Sequence, residues 1–104
     1  MAWTSLGPIT VVTPGTLVPL TLTRTRCEAI LLQALSNGSH TNTGRVYIYD
    51  RTGNRMATLA VPTANSIPSA SATIPAAPGG LDCADYSIDA DNATDGVDVS
   101  YIRP

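Results

Sequence analysis

The segment DADNATDGVDV, residues 89–99, gathers the side chains that could hold a metal ion. Ca²⁺ takes carboxylate and amide oxygens as ligands, so Asp89, Asp91 and Asp95, with the asparagine between them, could form a calcium loop. A helix-flanked calcium loop has glycine at its sixth position and a bidentate glutamate at its twelfth. Here Gly96 stands at the eighth position, counting from Asp89, and the twelfth residue is a serine. The spacing therefore does not match that motif.

Alternating residues on both sides of this segment favour a turn between two strands. Apolar side chains recur at every second position in DYSIDA, residues 85–90, and again in GVDVSYI, residues 96–102. We therefore interpret DNATDG as the loop of a β-hairpin, in which Asp95 and Gly96 supply the turn and aspartate side chains bond nearby backbone amides. Calcium binding stays open as the alternative, and we predict no metal and no cofactor.

His40, Cys27 and Cys83 are the other side chains with catalytic potential. His40 is the single histidine and lies in a polar loop, and the two cysteines lack the C-x-x-C spacing of a zinc site. A nucleophilic dyad would require His40 to meet a cysteine or a serine across the fold, and no local motif supports it. We predict no catalytic residues and no enzyme activity, with His40 in solvent and both cysteines as small buried thiols. A pair of cysteines is also what one disulfide requires, but the absence of an export signal favours reduced thiols.

Aromatic side chains are a second possible source of binding chemistry. They are Trp3, Tyr47, Tyr49, Tyr86 and Tyr101. Such rings could stack on sugars, although tyrosines in strands are more often half-buried with the hydroxyl in water. Trp3 lies in an N-terminal segment, residues 1–8, which we predict to be an extended arm outside any strand. An arm with an apolar anchor suits docking to another subunit, so Trp3 is the candidate interface residue.

The elements that must position these groups are short strands. The chain has 104 residues, 43% of them apolar and 13% charged, which is enough for one globular domain. Frequent Gly and Pro between short alternating runs predict an all-β fold, an antiparallel β-sandwich or jelly-roll-like small barrel with about seven strands. The run CEAILLQAL could also be a short helix, and we predict a strand because both of its neighbours are rich in turn residues. The predicted strands are Ile9–Thr13, Thr16–Thr23, Cys27–Leu35, Arg45–Asp50, Arg55–Val61, Asp85–Ala90 and Val97–Ile102.

Three connections stand out between these strands. Thr52, Gly53 and Asn54 predict a tight hairpin turn, because glycine takes positive φ without a steric penalty. Residues 36–44 form a longer polar loop. Residues 61–80 contain four prolines and many small side chains, so we predict an extended connection there and not a central strand.

Charge argues against some classes of partner. The net charge is −2, and duplex nucleic acid requires clustered cations, so we predict no nucleic-acid partner. No apolar run approaches the roughly 20 residues of a membrane helix, and we expect no membrane association. All six cations are arginine, the cation that protein interfaces favour.

Three stretches of the sequence resemble parts of a known group of proteins. They are the strand ending in LQAL, the strand NTGRVYIYD and the closing segment LDCADYSIDADNATDGVDVSYI. Over residues 16–102 the chain resembles small β-rich structural proteins of tailed bacteriophages. The resemblance implies a virion component made in the host cytoplasm, in the first place a capsid decoration (cement) protein that binds the major capsid protein. A sandwich this small leaves strand edges unpaired, and with few charges to guard them we predict that a homo-oligomer covers them. A trimer would suit the repeated joints of a capsid lattice.

Other functions stay open beside this one. A tail or connector component would share the same scaffold motifs, and a carbohydrate-binding β-sandwich module would use the tyrosines and calcium. A small hydrolase is the weakest hypothesis, because the chain has a single histidine.

Overall fold

A computed structural model describes residues 3–35, 41–61, 71–75 and 80–103 of the chain. These ranges confirm the predicted all-β fold, with ten strands where about seven were predicted and one turn of 3-10 helix at Cys83–Asp85. The strands are β1 (Trp3–Thr10), β2 (Val18–Pro19), β3 (Arg26–Cys27), β4 (Ala29–Ala34), β5 (Val46–Tyr49), β6 (Arg55–Leu59), β7 (Ser71–Ile74), β8 (Leu81–Asp82), β9 (Ser87–Ala90) and β10 (Gly96–Ile102).

Two four-stranded antiparallel sheets form a sandwich. The first sheet has the order β1-β10-β4-β7, and the second has the order β2-β9-β5-β6. A small two-stranded sheet pairs β3 with β8. No helix in the described ranges is both long and apolar enough to cross a membrane.

The core lies between the two four-stranded sheets, and the central strands contribute about every second side chain to it. In β5, Val46 and Ile48 are buried, while Tyr47 and Tyr49 face outward and are half-buried. This alternation follows from the pleat of the strand, which sends successive side chains to opposite faces. The buried apolar residues from the central strands are Ile30, Leu32, Ala34, Val46, Ile48, Ile88, Ala90, Val97, Val99 and Tyr101.

The run CEAILLQAL is extended, as predicted, but two strands divide it. Cys27 pairs with Leu81 in the small sheet, whereas β4 pairs with β10 in the first sheet. Between them the N–H of Glu28 donates to the carbonyl of Ile102 at 2.8 Å. The chain changes its partner at Glu28, which is why one predicted strand becomes β3 and β4.

The boundaries predicted before residue 24 are wrong. The strand predicted at Thr16–Thr23 is reduced to β2, two residues that end at a proline, which has no N–H to continue the ladder. The strand predicted at Ile9–Thr13 ends at Thr10. Val11 instead exchanges backbone hydrogen bonds with the loop before β10, donating to Asp95 and accepting from Thr94.

The prediction of an N-terminal arm outside any strand is also wrong. Residues 3–8 belong to β1, an edge strand that pairs with β10 along its length, Trp3 lying opposite Ile102. The register shifts between Ser5 and Gly7, where Gly7 has a φ of +83° and its N–H donates to Ser5 Oγ. This bulge, followed by a proline, interrupts the alternation that would have revealed a strand.

The Pro-rich stretch 61–80 contains a strand that the sequence analysis did not predict. Within it, Ser71–Ile74 forms β7, which pairs with β4 at the edge of the first sheet and ends before Pro75. An edge position is where a strand next to prolines is tolerated, since no further ladder is needed on that side. Residues 62–70 and 76–79, which the prediction also covers, lie outside the described residues.

The two predicted hairpins have different outcomes. Asp50–Asn54 connects β5 to β6 in one sheet, with Gly53 at a φ of +86°, so this hairpin is confirmed. By contrast, β9 lies in the second sheet and β10 in the first. The loop between them crosses from one sheet to the other, and the prediction of a hairpin there is wrong.

Candidate functional site

Trp3 begins the exposed edge of the first sheet. Trp3 is 46% exposed, and among the described residues β1 has a strand, β10, on one side only. The bulge at Gly7 and the adjacent Pro8 distort the second half of β1, and such features prevent a further strand from pairing. The first half, Trp3–Ser5, has neither feature. An aromatic anchor therefore stands at the part of the edge that can accept a partner's backbone.

A second exposed apolar side chain lies at the same end of the sandwich. Leu22 is 92% exposed in the loop before β3. Hydrogen bonds hold this loop, since Thr23 N–H donates to Thr21 Oγ1 and Thr25 N–H donates to Asp82 Oδ1 at 2.9 Å. The other large apolar side chains that are exposed in the described ranges are Val12, Leu17, Met56 and Val61.

A charged groove lies between this loop and the β5–β6 turn. It consists of two adjoining cavities of about 330 Å³ each, which share Gly80, Leu81 and Asp85. Arg24, Arg26 and Asp82 complete the first cavity. Asp50, Arg51, Thr52 and Tyr86 complete the second. Both cations and carboxylates line the groove, so it suits a partner surface with charges of both signs.

Asp82 organises the wall of the first cavity. The residue is 93% buried. Its Oδ1 accepts the N–H groups of Thr25 and Ala84, each at 2.9 Å, the second as the cap of the 3-10 helix. Its Oδ2 lies 3.2 Å from Nε of Arg24, in an ion pair without hydrogen-bond geometry. Because the Arg24 side chain is 83% exposed, its guanidinium remains accessible to a partner. The role of Asp82 is to hold the loop.

These contacts predict how stability depends on acid. The N–H of Thr25, with smaller contributions from Ala84 and Arg24, lowers the pKa of Asp82 despite its burial. A carboxyl whose pKa is lower in the folded state stabilises the fold above its unfolded pKa, about 3.9, and loses that contribution as pH falls through the folded value. We therefore expect urea unfolding to show a loss of stability only below about pH 4. Asp82→Asn should diminish that loss.

Arg24→Ala is the matched control for this prediction. The backbone N–H of Thr25 is the largest cause of the lowered pKa, and Arg24 is a smaller one. The Arg24 variant should therefore retain most of the acid dependence. If it abolishes the dependence as fully as Asp82→Asn does, the ion pair and not the backbone bond is responsible.

The tyrosines are divided between the core and one outer face. Tyr101 is buried, and Tyr86 packs partly against the core. Tyr47 and Tyr49 lie together on the outer face of the second sheet, where the Arg55 guanidinium sits 4.2 Å from the Tyr47 ring centroid and 5.8 Å from that of Tyr49. Arg55 thus covers the face of Tyr47 that would otherwise stack on a sugar.

The aspartates of residues 89–95 bind different partners. Asp89 Oδ1 accepts the N–H of Gly15, and Asp91 Oδ1 accepts the hydroxyl of Tyr47, whose pKa this bond raises. Asp95 is fully buried, and its carboxylate accepts N–H groups from residues 43 and 44, far away in the sequence. Within the described ranges no three His, Cys, Asp or Glu side chains cluster as metal ligands would.

Asn42 completes a buried interlock that the sequence analysis did not predict. Its side-chain amide donates to the carbonyl of Gly96 at 2.8 Å and accepts the N–H of Gly96 at 2.9 Å. Together with the Asp95 bonds to Thr43 and Gly44, these contacts fasten the loop 42–44 to the start of β10. This interlock is structural, since both side chains are buried.

The cysteines lie in contact with each other. Cys27 and Cys83 are both buried, as predicted, and their Sγ atoms are 3.6 Å apart. His40 lies outside the described residues, so the predicted solvent position of its ring stays a prediction.

Comparisons with protein-family models, with curated proteins and with solved structures give no match to this chain.

Proposed function

We propose that this protein is a virion structural protein of the capsid-decoration type, which binds and stabilises neighbouring major capsid subunits. The single observation that carries the proposal is the half-exposed Trp3 at the accessible start of edge strand β1. Aromatic side chains dominate the binding energy of protein interfaces when a partner buries them. The resemblance of residues 16–102 to tailed-phage structural proteins supplies the identity of the partner.

The mode of attachment follows from the geometry of β1. Trp3 anchors the contact, and the backbone of Trp3–Ser5 adds hydrogen bonds to an extended segment of the capsid subunit. The bulge and Pro8 limit such pairing to the first half of the strand. Leu22 and Arg24, at the same end of the sandwich, extend the contact with an apolar and a cationic group on a loop held in place by Asp82.

Self-association is part of the proposal. The protein forms a closed homo-oligomer, a trimer in the first instance, because repeated capsid joints present several equivalent sites to one decoration unit. The structure does not favour the alternative of sugar binding on the outer tyrosines, because the Arg55 guanidinium already covers the ring of Tyr47.

Substitution of Trp3 tests the proposal. We expect Trp3→Ala to leave the circular-dichroism spectrum unchanged and to weaken co-sedimentation with assembled capsids by at least about 30-fold, since an interface anchor contributes 2 kcal/mol or more. Met56→Ala is the matched control, because Met56 is also 46% exposed but lies on β6 of the other sheet.

The result against the proposal is equally clear. If wild-type protein binds no capsid even when it is in large molar excess over the capsid subunits, the decoration role is wrong, and tail or connector particles become the partner to test. Deletion of residues 1–8 is not a suitable test, since it would remove most of the strand that pairs with β10.

A further inference from the structure

Two buried thiols lie in contact beneath the small two-stranded sheet. Cys27 belongs to β3, and Cys83 begins the 3-10 helix that follows β8. The pairing of Cys27 with Leu81 and the bond from the N–H of Cys83 to the carbonyl of Thr25 fix the backbone on both sides. The two Sγ atoms are 3.6 Å apart. A disulfide has sulfurs about 2.05 Å apart, so bonding would require an approach of about 1.5 Å.

We propose that Cys27 and Cys83 form a redox-modification site, at which a small-molecule disulfide converts the thiol pair into an intramolecular disulfide in the folded protein. The inference rests on the contact between the two thiols and does not depend on the proposed function.

The reaction proceeds in two exchange steps. The thiolate of one cysteine attacks the reagent disulfide, a bond forms between protein and reagent sulfurs, and one reagent thiolate leaves. The second cysteine thiolate then attacks the protein sulfur of this mixed disulfide and expels the other reagent thiolate. The two protein thiols thus lose two protons and two electrons, and the reagent is reduced to two thiols.

Burial decides which product accumulates. Cys27 is 2% exposed and Cys83 is not exposed, so a reagent molecule reaches either sulfur only during a local opening of the small sheet, and the closed native packing has no room for an attached reagent. The neighbouring thiol lies at 3.6 Å and resolves the mixed disulfide within the same chain. The closed pair, which occupies only the space of the two side chains, is the product that the folded protein accommodates.

Burial also makes disulfide formation at this site slow and dependent on pH. It raises the pKa of both thiols, that of Cys83 to about 12, so the reactive thiolate is scarce at neutral pH. Because the thiolate fraction increases about tenfold per pH unit below the pKa, closure at pH 8 should be up to about ten times faster than at pH 7.

The closed pair would change the stability of the domain. It would join β3 to the 3-10 helix and enclose β4 to β8 in a loop, since the two cysteines are 56 positions apart. Closing a loop of this length reduces the entropy of the unfolded chain, and we expect the Tm to rise by roughly 10 °C.

In the test, reduced wild-type protein is treated with glutathione disulfide under native conditions, then unfolded in urea, alkylated and analysed by intact-mass spectrometry. We expect a monomer that is lighter by two hydrogen atoms, carries no alkyl group, yields a cross-linked peptide containing both cysteines, and reverts with dithiothreitol. Cys27→Ser and Cys83→Ser are the matched controls, and neither should give the cross-linked monomer.

Three results would overturn the proposal. The first is a stable glutathione adduct on either cysteine of the wild-type protein. The second is a disulfide-linked dimer as the main product. The third is full alkylation of both cysteines after overnight treatment at pH 8, with closure seen only in protein unfolded by urea. The measurement on the wild-type protein is sufficient to support or overturn the proposal even if a serine variant fails to fold.

Discussion

Gly96→Ala should destabilise the domain by at least about 3 kcal/mol and lower its Tm by more than about 12 °C. A Cβ at this position would lie 1.9 Å from the carbonyl oxygen of Ile9 and 2.8 Å from the Cα of Thr10. Both atoms belong to the backbone of β1, so no side-chain rotation can relieve the overlap. The N–H and the carbonyl of Gly96 are also bound to Asn42, which prevents β10 from moving away.

Gly53→Ala is the control that distinguishes a steric clash of the added Cβ from strain of the backbone. Gly53 has a φ of +86° but nothing within 4 Å of its added Cβ, so its substitution costs only the backbone strain of about 1 kcal/mol. Urea unfolding of both variants measures the difference. An alanine at 96 that costs no more than one at 53 would mean that β1 does not approach β10 as closely as described.

Asp95→Ala should be the second strongly destabilising change and should lower the free energy of unfolding by about 3 kcal/mol. The carboxylate is fully buried and accepts the N–H groups of Thr43 at 3.0 Å and Gly44 at 2.7 Å. Alanine would leave these donors without an acceptor in the interior, and each such group costs about 1–3 kcal/mol. Asp95→Asn keeps one acceptor oxygen for the same donors, so its loss should be smaller.

Asp91→Ala provides the comparison for thermal unfolding. Its carboxylate is exposed and accepts only the hydroxyl of Tyr47 among the bonds of the described residues, so the substitution should cost less than about 1 kcal/mol. We expect the Tm to fall most for Asp95→Ala, less for Asp95→Asn and least for Asp91→Ala. Equal Tm values for the two alanine variants would show that the interlock around Asp95 does not stabilise the fold.

The sequence allows the faces of strands to be predicted, because alternation depends only on the local backbone. In RVYIYD the apolar Val46 and Ile48 are buried and the tyrosines face outward, as the period of two requires. The same reasoning identifies β4, β9 and most of β10. It fails for β1, where the bulge at Gly7 and the proline after it shift the alternation by one residue.

Strand pairing and the candidate site were less accessible from the sequence. Whether two consecutive strands join one sheet depends on the packing of the whole chain, so the crossing from β9 to β10 looks like a hairpin when only its loop is considered. The bonds of Asp95 reach residues 43 and 44, and no local pattern predicts such distant partners. Trp3 was predicted as an anchor from its residue type and from an arm that does not exist, and its position at a sheet edge required the structure.

The central position of β10 in the first sheet also determines when that sheet can form during synthesis. β10 pairs with β1 on one side and β4 on the other, yet it follows both of them in the chain. At the usual rate of translation, roughly 5 to 20 seconds pass between the emergence of β1 and that of β10 from the ribosome. During this interval β4 exposes the apolar face that later carries Ile30 and Leu32 into the core. The yield of soluble protein therefore depends on protection of the nascent chain as well as on the stability of the completed fold.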